Sequence, residues 1–256
     1  MEDFDDIVQS PNDKGSIDLS HRAWVKLDDA IWSWGRSLIS LNVSFNNIVT
    51  ISPKLGELAC VRELDFSCNK IENIPPELGQ CMRLRSLKLN GNRLKTLPST
   101  IGTCRLLEEI VASENEIIKL PGELGNLSVL RVLKMQNNKL VELPPELGDC
   151  LILENIDCTN NANISNVPQE VLSNASLLTW MCRHNKQHRT LLQELESTNV
   201  DLENAAELTA ETGLGMREQI ESLEMERNRL LKERPENYLQ LRDHARRVNS
   251  VLCIIQ

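Results

Sequence analysis

Asparagine recurs along this chain every 23 residues, and no other sequence feature constrains the fold as strongly. The regular members are Asn46, Asn69, Asn92, Asn115, Asn138 and Asn161, and Asn185 follows after a step of 24. The surrounding residues repeat too, since Leu84-x-x-Leu87-x-Leu89-x-x-Asn92 returns as Leu130-x-x-Leu133-x-Met135-x-x-Asn138. A period of this length is typical of a solenoid, in which each repeat is one supersecondary unit.

The alternation within each repeat predicts a strand, because successive side chains of a strand point to opposite faces. Leu87 and Leu89 would point inward, and Lys88 between them outward. One short strand cannot bury its own face, so stacked repeats must share a continuous core. The second half of each repeat, with pairs such as Leu97-Pro98, predicts a short helix or turn with proline in its first turn. We therefore expect an α/β solenoid: a curved parallel sheet with short helices or turns on its convex side.

These motifs resemble the leucine-rich-repeat superfamily over roughly residues 38–188. The Leu-Pro-x-x-Leu-Gly second half is similar to the intracellular class that includes the Ras-suppressor, Scribble-type and plant Ras-group-related proteins. An asparagine amide offers two donors and an acceptor, so it can satisfy backbone groups that leave the sheet at a bend. The resemblance implies that these side chains form a ladder between repeats. The expected members are Asn46, Asn69, Asn92, Asn115, Asn138, Asn161 and Asn185.

The outward strand residues form the concave face, which is the surface that solenoids commonly offer to partners. Its side chains are small, polar and of mixed charge, with few of the Trp, Tyr and Arg residues that dominate binding hot spots. A solvated face without a partner is the alternative. The candidate partner-binding residues are Asp65, Lys88, Glu109, Val111, Val132, Lys134, Asp157, Met181 and Arg183.

The two ends of the chain differ from its middle. Residues 1–14 form an acidic tail that we expect to be mobile. Residues 15–37 are predicted to cap the first repeat, with a strand-like Ile17-Asp18-Leu19 and three tryptophans that either plug the repeat or form an exposed hot spot. Residues 189–256 are predicted to form a helical extension with breaks near Gly213 and Pro235, and a coiled coil is one form that it could take.

An apolar stripe runs along the last predicted helix, within residues 236–256, at steps of three and four. Either it packs against neighbouring parts of the chain, or it mediates self-association or partner docking. The candidate association residues are Tyr238, Leu241, Ala245, Val248, Leu252 and Ile255.

Composition narrows the function. A net charge of −9 argues against a nucleic-acid partner and against an anionic membrane surface. The N-terminus has no signal-peptide pattern and no apolar run could span a membrane, so we expect a cytoplasmic protein. Among the eight cysteines, six fall at positions expected to be buried and reduced, namely Cys60, Cys81, Cys104, Cys150, Cys158 and Cys182.

No catalytic constellation, metal-binding cluster or cofactor motif stands out. Cys182, His184 and His188 suggest a metal site, but no second cysteine pair lies near them. We therefore expect no enzyme, no metal and no cofactor, but an adaptor or scaffold that binds protein partners through the concave face, the C-terminal helices or both. The alternatives are a structural subunit of a cytoskeletal, ciliary or organellar assembly, and a regulator of a phosphatase or small GTPase.

Overall fold

A computed structural model describes residues 10–162 together with Ile164, Leu178, Cys182, Ser197 and Met225. The chain divides into two compact units, residues 1–183 and 184–256. In the second unit the described residues are Ser197 and Met225, which are helical and exposed. The predicted boundaries at residues 14, 37 and 188 stay predictions, and Asn163, near the expected one-residue insertion, lies outside the described residues.

Within the described residues, seven parallel strands form one sheet in the order of the sequence, which confirms the predicted solenoid. The strands are β1 Ser16–Asp18, β2 Ser40–Asn42, β3 Glu63–Asp65, β4 Ser86–Lys88, β5 Glu109–Val111, β6 Val132–Lys134 and β7 Asn155–Asp157. Ser16 pairs with Ser40, a step of 24, and each later strand pairs with the residue 23 positions on. The sequence period therefore equals the register of the sheet.

Short 3-10 turns connect the strands on the convex side. They are Pro53–Glu57, Pro76–Gln80, Ser99–Thr103, Gly122–Asn126 and Pro145–Asp149. The prediction that Pro75, Pro98, Pro121 and Pro144 occupy the first turn was wrong by one position. Each is the extended residue before the turn, with φ of −69° to −65° and ψ of 130° to 145°. Proline suits that position as well, because its ring fixes φ near −65°.

Inward side chains form columns that run through all the repeats. The strand column is Ile17, Leu41, Leu64, Leu87, Ile110, Leu133 and Ile156, all at most 8% exposed. Leu78, Ile101, Leu124 and Leu147 point inward from the turns, as predicted. Each repeat therefore buries its leucines against the repeats on either side.

The cysteines follow the predicted columns with one exception. Cys81, Cys104, Cys150, Cys158 and Cys182 are buried free thiols, whereas Cys60 is only half-buried. The prediction for Cys60 was wrong because Cys60 lies two positions beyond the inward Leu58, in register with Arg83 and the 43% exposed Leu106. Burial raises the pKa of the Cys81 thiol to about 12 and those of Cys104 and Cys150 to about 11, so these thiols stay protonated.

The predicted N-terminal cap, residues 15–37, joins the sheet rather than covering its end from outside. Its strand-like segment is β1, and a single helical turn, α1 Ala30–Ser33, follows. Trp32 is 2% exposed and fills the core between α1 and the second repeat, whereas Trp24 and Trp34 are half-buried against the same core. The plug interpretation therefore holds for Trp32.

Candidate protein-binding face

The parallel register aligns the outward strand residues in two straight columns. One column consists of Ser16, Ser40, Glu63, Ser86, Glu109, Val132 and Asn155, and the other of Asp18, Asn42, Asp65, Lys88, Val111, Lys134 and Asp157. Neighbouring strands of a sheet lie about 4.8 Å apart. Seven of the nine predicted binding residues lie in these columns, and Met181 and Arg183 lie outside the described residues.

Strands β1 to β5 line a groove of about 510 Å³ on the concave face. Four carboxylates border it, those of Asp18, Glu63, Asp65 and Glu109, with Lys88 as the one cation among the lining residues. The beginning of the face is therefore acidic. Further along, Val111 on β5 and Val132 on β6 form a half-buried apolar step between the charged residues.

Serine hydroxyls hold two of these carboxylates in place. Ser40 Oγ donates to Glu63 Oε2 at 3.1 Å, and Ser86 Oγ donates to Glu109 Oε2 at 2.7 Å. Within residues 10–162, neither carboxylate forms an ion pair. Each therefore keeps its negative charge available to an incoming cation while its position is already restricted.

Other polar residues of the second column close the ends of their strands. The Oδ1 atoms of Asp18, Asn42, Asp65 and Asp157 accept from the backbone N–H two residues later, at 2.9–3.0 Å. For Asp18, this bond from Ser20 is the main reason why the pKa of the carboxyl is lowered. Asp65 and Asp157 thus have a structural role in addition to any role in binding.

The six described asparagines line up along one edge of the sheet. In a central repeat, Asn115 Nδ2 donates to the carbonyls of Ala112 and Ser113 and to Leu89 of the preceding repeat, at 3.0–3.1 Å. Its Oδ1 accepts from Leu94 N–H, also in the preceding repeat, at 3.0 Å. Asn69, Asn92, Asn138 and Asn161 repeat the pattern. Asn185 lies outside the described residues.

The edge beyond the strands is less open than the sequence analysis expected. If the strand alternation continued, Ser44, Ser67 and Ser113 would form a third outward column, but each is only 6% exposed. The residues after them, Phe45, Cys68 and Glu114, have a positive φ of 53–55°, so the chain bends there and tucks the short serine side chains between neighbouring repeats. Ser67 Oγ donates to Asn90 Oδ1 at 2.7 Å.

Two charged groove residues, Asp18 and Glu63, were not among the predicted binding residues. Asp18 was assigned to a cap and not to the sheet, although it precedes Asn42 by 24 residues, one more than the repeat period. Glu63 was in the outward register, but only its place in the groove and its hydrogen bond from Ser40 distinguish it from other surface carboxylates. The six residues of the candidate association helix all lie outside the described residues.

No group of three or more His, Cys, Asp or Glu side chains in the described part of the chain could hold a metal ion. Within the same residues, no helix is long and apolar enough to cross a membrane.

A family model described as leucine rich repeat matches residues 36–94, which agrees with the register, the inward columns and the asparagine edge. The described repeats form a leucine-rich-repeat solenoid. Proteins with such repeats are generally non-catalytic and typically bind other proteins. The comparison with curated proteins gave no match.

Three solved structures are similar to parts of this chain. A leucine-rich-repeat protein of Leptospira interrogans, LIC12759, is 31% identical, with a TM-score of 0.56 over 60% of this chain and 39% of that one. The ectodomain of the Arabidopsis thaliana receptor kinase GASSHO1/SCHENGEN3, in complex with CASPARIAN STRIP INTEGRITY FACTOR 2, is 31% identical, with a TM-score of 0.47 over 50% and 16%. An internalin (inlF) from Listeria monocytogenes is 24% identical, with a TM-score of 0.47 over 51% and 36%. This chain thus spans less than half the length of each of these proteins.

Proposed function

We propose that this leucine-rich-repeat protein is an adaptor or scaffold that binds a protein partner on the concave face of β1 to β7. The observation that carries the proposal is the pair of restrained carboxylates, Glu63 and Glu109, which face the groove and contact no cation among the described residues. A positively charged group of the partner would form the ion pairs that these two carboxylates lack within the described residues.

A contrast with other carboxylates of the same repeats supports this proposal. Away from the groove, Arg131 Nη2 contacts both carboxylate oxygens of Glu154 at 2.9 and 3.0 Å, and Lys139 Nζ contacts Glu116 at 2.7 Å. Some acidic residues outside the groove are thus paired with cations from neighbouring repeats. The groove carboxylates lack such partners, so the acidic end of the face favours a partner segment that carries lysine or arginine.

The apolar step at Val111 and Val132 would add contact area next to the charged region. Both side chains are half-buried, and each stands beside a long charged or polar neighbour. Complementary charge mainly directs association and fixes the register of a partner, whereas apolar contact slows its dissociation. We therefore place the partner across β3 to β6.

We propose further that the protein acts inside the cell without catalysing a reaction. The location inside the cell is supported by the seven described cysteines. All seven are free thiols, as is typical of proteins in a reducing compartment. Self-association through residues 236–256 stays a prediction. Light scattering of the full chain and of a form that lacks those residues tests it, and equal masses per subunit would rule it out.

The test of the concave face reverses charge at two positions. Partners captured by the full chain are identified by mass spectrometry, and the affinity of a purified partner is then measured for Glu63→Lys/Glu109→Lys. We expect a loss of about tenfold or more. Asp65 is left unchanged because its side chain closes the end of β3.

The matched control is Glu57→Lys/Glu123→Lys, which makes the same change in charge at exposed positions of the 3-10 turns. It should retain the wild-type affinity within about twofold, as expected for residues outside an interface. Equal losses in the two variants, or no loss in either, would place the partner elsewhere than on the concave face.

A further inference from the structure

A second surface lies where each 3-10 turn leads into the next strand. Four consecutive residues there follow the same pattern in each described repeat. The first and fourth side chains point inward, and the second and third point outward. The inward pairs are Leu58 and Val61, Cys81 and Leu84, Cys104 and Leu107, Leu127 and Leu130, and Cys150 and Leu153, all at most 6% exposed. A backbone hydrogen bond closes each segment, such as Leu84 N–H to the Cys81 carbonyl at 3.0 Å. The middle two side chains therefore point away from the core.

Successive repeats hold these segments in line. One position further along, the backbone N–H of Arg85 donates to the Arg62 carbonyl at 2.7 Å, and Glu108, Arg131 and Glu154 continue the same ladder at 2.8–2.9 Å. Equivalent side chains therefore follow one another at about the 4.8 Å spacing of neighbouring strands. The result is a continuous strip along the edge of the solenoid where the strands begin.

Arginines and exposed apolar residues make up much of this strip. We call it the turn edge and define it by Arg62, Met82, Arg83, Arg85, Arg105, Leu106, Arg131, Leu151 and Ile152. Met82 is 64% exposed, Leu106 43%, Leu151 73% and Ile152 44%. Arginine and methionine are both enriched at protein–protein interfaces, and large apolar side chains exposed side by side mark interaction sites.

Three of these arginines have no carboxylate partner in residues 10–162, the part of the edge that the structure describes. Arg85 pairs with Glu108 and Arg131 with Glu154, whereas Arg62, Arg83 and Arg105 are exposed and form no ion pair there. They stand in three successive repeats, beside Met82 and Leu106. A cluster of unpaired positive charge on a chain of net charge −9 calls for a negatively charged ligand.

We propose that the turn edge binds an acidic segment of a partner protein whose aspartates or glutamates alternate with apolar residues. The planar guanidinium group matches a carboxylate with two parallel hydrogen bonds, and three arginines from successive repeats can each pair with one carboxylate of the segment. Met82 and Leu106 then provide the apolar contact that holds such a segment in place. This surface is separate from the concave face and prefers the opposite charge.

The composition of the edge favours a peptide over other anions. None of the nine residues that define it is aromatic, and stacking on aromatic rings provides much of the affinity for single-stranded nucleic acid. The net charge of −9 opposes long-range attraction to a membrane or a nucleic acid, whereas short-range pairing with a few carboxylates is much less affected.

The test selects ligands of the full chain from a random-peptide display library, and a selected peptide is then measured by fluorescence anisotropy. We expect the selected peptides to be rich in Asp and Glu with apolar residues between them. Replacing those acids by Asn and Gln should weaken binding, and so should added salt. Arg62→Glu/Arg83→Glu/Arg105→Glu should lower the affinity by about tenfold or more, as expected for arginines at the centre of an interface.

Three further variants make the result specific. Lys70→Glu/Arg93→Glu/Lys95→Glu makes the same charge change on the exposed asparagine side and should alter the affinity by no more than about twofold. Met82→Ser/Leu106→Ser should weaken binding without changing its salt dependence. Arg83→Gln/Arg105→Gln removes charge without reversing it, so it still tests the site if the triple variant folds poorly.

Two results would overturn the proposal: selected peptides with no excess of acidic residues, or binding that is equal in the wild type and the triple variant. Phosphatidylserine vesicles are the third probe. If the full chain bound them through the same arginines more tightly than any selected peptide, the turn edge would be a membrane-binding surface instead. Glu63→Lys/Glu109→Lys should leave peptide binding intact, so this test and that of the concave face fail independently.

Discussion

The first unit of the sheet, residues 16–37, and the central repeats enter the same parallel ladder with different side chains. The central repeats each carry an asparagine at the bend, whereas the first unit has Arg22 in that register, 24 residues before Asn46. The first unit nevertheless bends in the same way, because Asn46 Oδ1 accepts from the N–H groups of both Arg22 and Trp24 at 3.0 Å.

The direction of these bonds explains the difference. Every described asparagine accepts a hydrogen bond from the repeat before it and donates to a carbonyl of that same repeat. The first unit has no described repeat before it to serve, so it needs no asparagine of its own. What it needs instead is a large side chain against the second repeat, and Trp32 fills that place.

Removing the plug should have the largest effect. We expect Trp32→Ala to lower the free energy of unfolding by about 4 kcal/mol, since it deletes a fully buried indole and leaves a cavity. Urea denaturation followed by circular dichroism measures the loss. Trp34→Ala, at a half-buried position, should cost roughly 1–2 kcal/mol. If the two variants were equally stable, the end of the sheet would not depend on Trp32.

Breaking the ladder in the middle should come next. Asn115→Leu leaves three carbonyls and the Leu94 N–H without their partner, and we expect a loss of about 3 kcal/mol. Arg22→Leu changes the same register position in the first unit and removes the contact of its guanidinium group with the Trp24 ring, 5.8 Å away, so it should cost about 0.5–1 kcal/mol. Similar melting curves for Asn115→Leu and the wild type would contradict the role of the asparagine ladder.

The residue before each asparagine offers a smaller and opposite pair of effects. Phe45, Cys68, Gly91, Glu114, Asn137 and Asn160 all have a positive φ, and so does His21, which precedes Arg22 at the same register position. Because side chains disfavour this conformation, Glu114→Gly should stabilise the protein by about 0.5–1 kcal/mol, and Gly91→Ala should destabilise it by about 1 kcal/mol. Thermal melts of both variants decide; a shift of the same sign in both would show that backbone strain does not control this column.

The smallest effects should come from ion pairs between repeats. Arg131 and Glu154 join two central repeats, and Lys54 and Asp29, 3.2 Å apart, join the first unit to the second repeat. All four side chains are more than half exposed, so Glu154→Gln and Asp29→Asn should each cost at most about 0.5 kcal/mol, and less in high salt. A loss of several times that size at Asp29 would mean that charge, and not Trp32, attaches the first unit.

Particular residues show how much of the fold could be predicted from the sequence. The outward columns from Glu63 to Asp157 followed from alternation alone, because one period fixes the register of every strand. The serines before the bend are buried although alternation predicts them to point outward, because the sequence pattern continues beyond the residue at which the strand ends. The return segments were expected as short helices or turns, but the placement of their prolines was wrong by one residue, because proline suits both positions.

The candidate sites divide in the same way. The sequence identified Glu109 and Asp65 as outward residues of the concave face. It could not show that the Asp65 carboxylate accepts a hydrogen bond from the backbone N–H of Ser67, whereas the Glu109 carboxylate accepts one from the Ser86 hydroxyl. The turn edge went unnoticed, since its arginines and apolar residues belong to different repeats and form a strip only when the repeats stack.

By itself the sequence determined that the chain stacks in units of 23 residues, which leucines turn inward, and which edge the asparagines occupy. These features follow from local alternation and from a period that each unit repeats. Only the tertiary structure decided that the first unit shares the sheet, that Ser44 is covered while Cys60 is partly exposed, and which charges lack a partner. Those properties depend on neighbours one repeat away, and their distances and directions are set by how the backbone bends between repeats.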